Sequence, residues 1–303
     1  MKKFVALMLA LVMVLALCAC GGNNDPKPTE EAKDYSSMTL DQLKAELKTV
    51  NEGKLTIATS PDFAPYEFYH VDENGNASLV GFDIAFAQYI ADKLGLELEM
   101  VPMDFDGTLA ELGAKKCDLG MAGYSPDPDR ASLMNFSKIY YEGGQCFITS
   151  KANADKIKSL DDANNSQYKI GAQTGSIQSK LAKQNTPDAD NIDLSKVPDV
   201  IAEVISGKLD GAFMETIVAK SYQAQYPEIV IVCDVPYEQK GSAIGVNKDN
   251  EVLLAALNLI IDEAINDGSL QKFVDEAGIL AIGNKYEGLL DDAGKVPAAD
   301  TAA

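Results

Sequence analysis

The sequence predicts an α/β protein made of two α/β units. Apolar strand patterns alternate with amphipathic helix patterns, and the pair Gly143-Gly144 separates a first set of them from a second. The strand–helix–strand order of the first set predicts a parallel sheet, whose ligand crevice lies at the carboxyl ends of its strands. The predicted strands are 55–59, 96–101, 119–122, 146–149, 168–172, about 191–194, 209–214, 228–232 and 242–246.

Capping residues and glycines mark where the predicted helices begin and end. A short helix opens at Thr39 and closes near Gly53, and an amphipathic helix over 84–94 ends at Gly95. A later helix opens at Pro198 and closes at Gly207. The remaining helices are predicted at 108–116, from the 173–176 turn through Gln184, and at 215–225, 251–266 and 270–276.

The N-terminal segment predicts export. Lys2-Lys3 precede an apolar run over 4–17, which is too short to span a bilayer and typical of a signal peptide. The run leads to Leu17-Cys18-Ala19-Cys20, which resembles the lipobox of bacterial lipoproteins, with 1–19 removed and Cys20 lipidated. The alternative is an ordinary secretory signal with incidental cysteines. We expect a membrane anchor through lipid on Cys20 and no transmembrane helix.

Two polar segments flank the predicted folded part of the chain. Residues 20–38 are polar, contain Pro26 and Pro28, and predict a flexible tether. Residues 291–303 have no apolar face and predict a disordered tail.

Charge and composition exclude several classes of function. The 303 residues carry a net charge of −20, and removal of 1–19 takes away Lys2 and Lys3, leaving 24 basic against 46 acidic residues, or −22. This argues against a nucleic-acid partner. Three cysteines remain after processing besides the lipidated Cys20, and they form no CxxC pair. We therefore expect small buried thiols instead of a zinc site or a disulfide framework: Cys117, Cys146 and Cys233. The single histidine, His70, is predicted in a polar loop, and no metal or cofactor is expected.

The stretch CDLGMAGYSPDPDR, residues 117–130, contains the single arginine among 26 basic residues, Arg130. Arg130 follows the end of a predicted strand and lies in the first turn of a helix that is predicted to start at Asp127-Pro128. A guanidinium beside a helix N-terminus matches a carboxylate bidentately in a way that lysine does not. The alternative is a surface arginine paired to Asp127 or Asp129.

The order of motifs resembles the polar amino-acid-binding proteins, the solute receptors of bacterial ABC importers. The resemblance runs from about Lys54 to Gly278 and rests on DFAPYEF, GFDIAFAQYIADKLG, MDFDGTLAEL, CDLGMAGYSPDPDR, a QTGS turn and LDGAFMETIVAKSY together. It implies a two-lobed, type II periplasmic-binding-protein-like fold with two hinge crossings, near 140–144 and 237–241. Lobe 1 would comprise 52–142 plus 240–290, and lobe 2 would comprise 143–239.

The resemblance also implies a ligand site. Phe63 and Phe105 match the aromatics that flank the ligand's aliphatic part, with core packing as the alternative. Arg130 matches the arginine that holds the α-carboxylate, helped by the Ser125 hydroxyl and the Gly123 backbone. In the second lobe, the N–H groups of Gly175 and Ser176 would reach the same carboxylate, and Ser176 would also fit an N-cap. Glu215 matches the acid that holds the α-ammonium, with offset of a helix dipole as the alternative.

Departures from the family pattern leave the specificity open. Ser60 stands where receptors for glutamine or cationic side chains carry an aspartate, Gly171 where glutamine receptors carry a lysine, and Glu215 where aspartate is usual. Asp62 offers a nearby negative charge, although loop acids usually face water.

The resemblance implies a monomeric, non-catalytic receptor that closes on a free L-amino acid and delivers it to an ABC permease and its ATPase. The alternatives are a cyclohexadienyl dehydratase-like enzyme and a sensor domain on the same fold.

Overall fold

The computed structural model describes residues 34–72, 74–238 and 241–282. The predicted signal peptide, Cys20 and the predicted tail at 291–303 lie outside the described residues, as does most of the predicted tether. The chain divides into two compact units, Met1–Ser37 and Met38–Ala303. In the first unit, the described residues form a single 3-10 turn at Tyr35–Ser37.

The second unit alternates strands with helices along the chain. Its strands are β1 (Lys54–Thr59), β2 (Asp62–Phe63), β3 (Glu67–Val71), β4 (Ala77–Val80), β5 (Glu97–Pro102), β6 (Leu119–Gly120), β7 (Met134–Tyr141), β8 (Gln145–Ser150), β9 (Lys169–Gln173), β10 (Asp190–Leu194), β11 (Gly211–Glu215), β12 (Ile229–Val235) and β13 (Ser242–Asn247). Its helices are α1 (Leu40–Glu46), α2 (Phe82–Leu94), α3 (Phe105–Gly113), α4 (Leu160–Ala163), α5 (Ile177–Asn185), α6 (Val197–Ser206), α7 (Thr216–Gln225), α8 (Glu251–Asn266) and α9 (Ser269–Ile282).

Two five-stranded sheets form the centres of two lobes. The first has the order β5-β1-β6-β13-β7, and the second has the order β10-β9-β11-β8-β12. In each sheet the first three strands are parallel and the last two run antiparallel to their neighbours. The parallel arrangement predicted for the three strands of the first set is therefore confirmed in β5, β1 and β6. The sheet is extended by β13 and β7, which add antiparallel pairs at its far side.

The chain passes between the sheets twice. The first crossing is the short segment 142–144 between β7 and β8, and the second follows β12 and precedes β13. Tyr237 links the two crossings, because its hydroxyl donates to the Gly143 carbonyl at 3.2 Å and accepts from the Gly241 N–H at 2.8 Å. Helix α9 contacts α2 of the first lobe and α7 of the second.

A small antiparallel sheet, β2-β3-β4, follows β1 and was not predicted. His70 lies in β3, so its prediction as a loop residue is wrong. The segment before β3 turns sharply and buries the aromatic side chain of Tyr66 completely. Strand β2 consists of Asp62 and Phe63 and places both residues beside the second lobe.

Helix boundaries follow the capping chemistry of the sequence with three exceptions. Helix α1 has the predicted N-cap, Thr39, but it ends at Glu46 and not near Gly53, because the chain is already extended at Leu47. Gly95 and Gly207 end α2 and α6 in the left-handed conformation, as predicted. Helix α3 begins at Phe105, three residues before the predicted start, with Asp104 at the N-cap position. Helix α9 continues to Ile282, beyond its predicted end.

Apolar side chains buried between sheets and helices form the cores of the lobes. Phe147 and Phe213 meet edge to face in the second lobe, with ring centroids 5.2 Å apart. Cys117 and Cys146 are buried and Cys233 is half-buried, and all three are free thiols. Among the described residues, no helix is both long enough and apolar enough to cross a bilayer.

Candidate functional site

Arg130 lies at the end of a single 3-10 turn, Pro128–Arg130, capped by the side chain of Asp127. The prediction of a longer helix here is wrong, because the chain returns to an extended conformation in β7. The cap and the proline were predicted correctly. The turn places the guanidinium between the lobes. Arg130 is buried there, with 8% of its surface exposed.

The guanidinium of Arg130 contacts both lobes. Its Nη2 donates to the Gly175 carbonyl of the second lobe at 2.9 Å, and its Nη1 donates to the Ser125 carbonyl at 3.4 Å. Its Cζ atom lies 5.7 Å from the centre of the Phe105 ring. Burial lowers the pKa of Arg130, and an arginine in such a place remains charged.

The predicted alternative, a surface arginine paired to Asp127 or Asp129, is wrong. Both carboxylates pair instead with Lys180 of α5, at 3.1 Å and 2.5 Å. Within the described ranges, no carboxylate oxygen lies within 4.0 Å of the Arg130 guanidinium. Among the described residues, the direct contacts of this buried cation are thus two carbonyl dipoles and an aromatic face, and the Asp127 carboxylate acts on it from a longer distance.

Phe63 and Phe105 are both buried, each with 7% of its surface exposed. Phe105 meets the ring of Tyr124 edge to face, with centroids 5.6 Å apart, and lies under Arg130. Phe63 contacts Tyr66 and borders a small cavity, the other side of which belongs to the second lobe. The lobe-2 residues of that cavity are Gln173, Gln178, Val197, Val200, Phe213 and Met214.

Gly123 follows the end of β6 and has a φ of +58°. A β-carbon here would lie 2.9 Å from the Phe63 ring, so both the backbone conformation and the space require glycine. Its N–H donates to Asp83 at 3.2 Å. A ligand would therefore meet the carbonyl of this residue more readily than its N–H.

Gly175 and Ser176 form the turn that leads into α5. Ser176 is the N-cap, since its hydroxyl accepts from the Ser179 N–H at 3.2 Å. Gly175 presents its carbonyl to Arg130, and the Ser176 N–H donates to the Gln173 carbonyl at 3.2 Å. That the N–H groups of this turn reach the carboxylate of a ligand stays a prediction.

Glu215 ends β11 and is the N-cap of α7. One carboxylate oxygen, Oε2, accepts from the N–H groups of Ile217 at 2.6 Å and Val218 at 3.1 Å. The other oxygen, Oε1, is buried and has no hydrogen-bond partner within 3.5 Å among the described residues. The helix-cap alternative thus accounts for one oxygen only.

Burial raises the pKa of Glu215 to about 7, against the effect of the backbone N–H groups that favour the ionised form. Its free oxygen faces the first crossing, where a β-carbon on Gly143 would lie 2.6 Å from Oε1. Gly143 was not predicted as a residue of the site. A Gly-Gly pair beside a predicted hinge was the available signal for a close approach.

Ser60 and Asp62 lie at the other end of the cleft. Ser60 is buried and its hydroxyl donates to Asp62 Oδ1 at 3.0 Å. Asp62 is half-buried and is held by donors from the protein, unlike the usual loop acid, which faces water. It accepts from the Gln173 side chain at 3.1 Å and from the Val197 N–H at 2.9 Å, both in the second lobe, and burial raises its pKa to about 6.

Two lobes with the same strand order, joined by two crossings and bridged by buried charges, define a two-lobed solute-binding protein of the type II periplasmic-binding fold. The chain belongs to the bacterial extracellular solute-binding proteins, family 3, whose family profile matches residues 55–277. This confirms the fold and the family that the motif order predicted.

Relatives and solved structures of this family are known to bind amino acids. The chain is 31% identical to the arginine-binding extracellular protein ArtP of Bacillus subtilis over 276 residues, or 90% of this chain and 96% of ArtP. It is 26% identical to the L-cystine-binding protein TcyJ of Escherichia coli over 224 residues, or 74% and 82%. The arginine-bound structure of the substrate-binding protein AbpA from Streptococcus pneumoniae is 32% identical with a TM-score of 0.73, covering 80% of this chain and all of that one.

Proposed function

We propose that this protein binds one free L-amino acid between its lobes and delivers it to an ABC importer. The observation that carries the proposal is a pair of incompletely paired buried charges, the Arg130 guanidinium and the Glu215 carboxylate. A zwitterion supplies a carboxylate for the first and an ammonium for the second. A ligand that lacks either group would leave one buried charge unpaired, which is costly, so the pair selects amino acids.

The neighbouring groups complete the proposed site. The Ser125 hydroxyl and the Gly175–Ser176 turn would share the α-carboxylate with Arg130 after the Gly175 carbonyl has given way to the ligand. The Gly123 carbonyl suits the α-ammonium better than the carboxylate, because its N–H is already bound to Asp83. Phe63 and Phe105 would enclose the aliphatic part of the ligand side chain.

L-Arginine is the first ligand to test, because ArtP and AbpA are described as arginine-binding or arginine-bound. Ser60, Asp62 and Gln173 form the polar end of the proposed side-chain region. Asp62 supplies a carboxylate there, although it is already bound by three donors. A ligand with a cationic or amide side chain would have to replace one of these donors at the Asp62 carboxylate.

The remaining expectations concern location and partners. We propose that Cys20 is lipidated after removal of 1–19, that residues 20–38 tether the folded part to the extracellular face of the membrane, and that the protein acts as a monomer. We also propose the lobe limits 52–142 plus 240–290 and 143–239. Palmitate labelling of wild type and Cys20→Ser, with Cys18→Ser as the matched control, tests the anchor.

The binding proposal is tested by thermal shift of residues 21–303 with each of the twenty L-amino acids and ornithine. The protein is first unfolded and refolded to remove carried-over ligand. A ligand that binds only the folded state raises the melting temperature, by an amount that grows with its concentration over Kd. A shift by one or two amino acids that Arg130→Ala abolishes supports the receptor. The absence of any shift would contradict it.

The two alternatives have their own tests. A related structure is an ancestral amino-acid-binding protein described as a precursor of cyclohexadienyl dehydratase, 30% identical with a TM-score of 0.67 over 79% of this chain and 99% of that one. The buried Glu215 would be the general acid of such an enzyme, and conversion of a cyclohexadienyl acid by wild type but not by Glu215→Gln would favour it. Reconstituted uptake with a neighbouring permease and ATPase separates an importer from a sensor.

A further inference from the structure

Two buried acids lie near the loop that follows β6 and contains Gly123 and Ser125 of the proposed site. Asp83, in the first turn of α2, and Glu67, in β3, each have no exposed surface. Asp83 accepts from the Tyr140 hydroxyl at 2.6 Å through Oδ1 and from the Gly123 N–H at 3.2 Å through Oδ2. One carboxylate thus joins the loop after β6 to the strand that leads into the first crossing.

Glu67 is buried without a partner: neither of its carboxyl oxygens has a hydrogen-bond partner among the described residues. The carboxyl group of Asp83 is close enough that its charge adds to the effect of burial and raises the pKa of Glu67 further. Two ionised carboxylates would repel each other there, and a carboxylate only accepts hydrogen bonds. A neutral Glu67 removes the repulsion, because the pair then has one negative charge. It also needs no donor, because a protonated carboxyl group has an O–H of its own to donate.

The surroundings agree with this assignment of the proton. Burial raises the pKa of Glu67 well above its ordinary value and that of Asp83 to about 6, where donors from Tyr140 and Gly123 favour its ionised form. The pair titrates as a unit, so the proton belongs to both groups. The other titratable groups that act on it come from the neighbouring elements and are Asp62, Tyr66, Tyr124 and Tyr140.

We propose that Asp83 is a positioning residue for amino-acid binding, because it holds the Gly123 peptide group in place. In this proposal Glu67 is protonated, so that the two acids together have one negative charge. The proposal rests on the proposed function for its effect on affinity, but not for the hydrogen bond itself. Gly123 needs such a support, because glycine has the greatest backbone freedom and this one has a φ of +58°. An ionised acceptor on the Gly123 N–H fixes the orientation of that peptide group.

The first experiment measures the bond without any ligand. Amide hydrogen exchange at Gly123 is followed by mass spectrometry with fragmentation of peptides covering 121–125, on the full processed protein. Loss of a charge-assisted hydrogen bond in Asp83→Ala is expected to speed exchange at Gly123 by at least about tenfold. Asp83→Asn keeps an oxygen acceptor and should restore most of the protection. Asp92→Asn changes an exposed acid of the same helix and should change nothing.

The second experiment measures affinity by titration calorimetry, with L-arginine or whichever amino acid gives the largest shift in wild type. Asp83→Ala is expected to weaken binding by at least about tenfold, with partial rescue by Asp83→Asn. Glu67→Gln has the shape of the neutral acid and carries no charge. Its affinity should therefore match wild type within about twofold at pH 7.

Each outcome decides the proposal. Unchanged Gly123 exchange in Asp83→Ala overturns it, as does faster exchange with an affinity within about twofold of wild type. If Asp83→Ala does not fold, Asp83→Ser replaces it, because the shorter side chain loses the carboxylate that accepts from Gly123. Wild-type affinity with wild-type exchange in Asp83→Ser then overturns the proposal. A loss of affinity of about tenfold or more in Glu67→Gln overturns the assignment of the proton to Glu67. If wild type responds to no amino acid, the proposed function fails, and exchange at Gly123 still decides whether Asp83 holds the loop.

Discussion

Asp62 of the first lobe accepts a hydrogen bond from the backbone N–H of Val197 in the second lobe, at 2.9 Å. Val197 is the first residue of α6, so the carboxylate lies at the positive end of a helix dipole. The Gln173 side chain donates to the same carboxylate at 3.1 Å. These bonds join opposite lobes and exist only when the lobes are together.

We therefore expect Asp62→Ala to weaken amino-acid binding mainly by speeding dissociation. Loss of hydrogen bonds to a charged group costs about 1.5–3 kcal/mol, or roughly 10- to 100-fold in Kd. Because the bonds form after the ligand has entered, the association rate should change little. Stopped-flow fluorescence measures both rates, and Asp155→Ala, an exposed acid, serves as the control. A slower association with an unchanged dissociation rate would contradict this role.

Lys180 makes a second contact between the lobes at the edge of the cleft. It pairs with Asp127 and Asp129, and its side chain is 38% exposed. Exposed ion pairs contribute about 0–1 kcal/mol and are screened by salt. Lys180→Met should thus weaken binding by at most about fivefold and reduce its dependence on salt.

Lys183 provides a matched control on the same helix, because it pairs with Asp193 inside the second lobe. Lys183→Met is expected to leave both the affinity and its salt dependence as in wild type. Equal salt dependence in wild type and Lys180→Met would show that the ion pair has no part in closure.

The sequence predicted those parts of the fold that local chemistry determines. Helices α2 and α6 end where glycine permits a left-handed residue, and β1 and β9 are short apolar runs next to loops. Strand β7 was not predicted, because Asn135, Ser137 and Lys138 interrupt its apolar pattern. Its strand conformation comes from pairing with β13, which lies about a hundred residues further along the chain.

The candidate site was predictable in its residues but not in all of its contacts. The rarity of arginine identified Arg130, and the motif order identified Glu215 and the aromatics. The partners of Asp62 and Lys180 depend on how one lobe lies against the other, which no local pattern encodes. The same holds for the contact between the Gly175 carbonyl and Arg130, which lie in opposite lobes.

Gly143→Ala tests the free oxygen of Glu215 without changing any charge. The new methyl group would lie 2.6 Å from Oε1, so the carboxylate would have to move from its present position. We expect affinity to fall by about tenfold or more, since a hydrogen bond between two charged groups depends on placement. Gly278→Ala in α9 has no atom within 4 Å of its new methyl group and should leave affinity unchanged. Wild-type affinity in Gly143→Ala would argue against an ammonium at Glu215.

The pKa of about 7 at Glu215 predicts two opposite dependences on pH. An ammonium prefers the ionised carboxylate, so affinity should rise with pH through about 7 and fall below it by up to about tenfold per pH unit. The stability of the ligand-free protein changes with pH in the opposite direction. Because the folded-state pKa lies above the ordinary value of 4.5, this group lowers the free energy of unfolding as pH rises from 4.5 to about 7.

Glu215→Gln should remove both dependences and weaken binding at neutral pH. Calorimetry gives the affinity, and urea unfolding of ligand-free protein gives the stability, at the same set of pH values. If wild type and Glu215→Gln show parallel pH profiles of affinity, another group titrates in this range, and Asp62 and Asp83, each with a pKa of about 6, are then the next to test.

Arg130→Lys separates the charge of the arginine from its geometry. Lysine keeps the positive charge but presents a single ammonium, whereas Arg130 reaches two carbonyls on opposite lobes from two nitrogens. If a carboxylate binds the planar fork, we expect Arg130→Lys to lose about tenfold or more in affinity by calorimetry, and Arg130→Ala to lose more still. Affinity in Arg130→Lys within about twofold of wild type would mean that charge alone is recognised. The rarity of arginine in this chain would then have no consequence for binding.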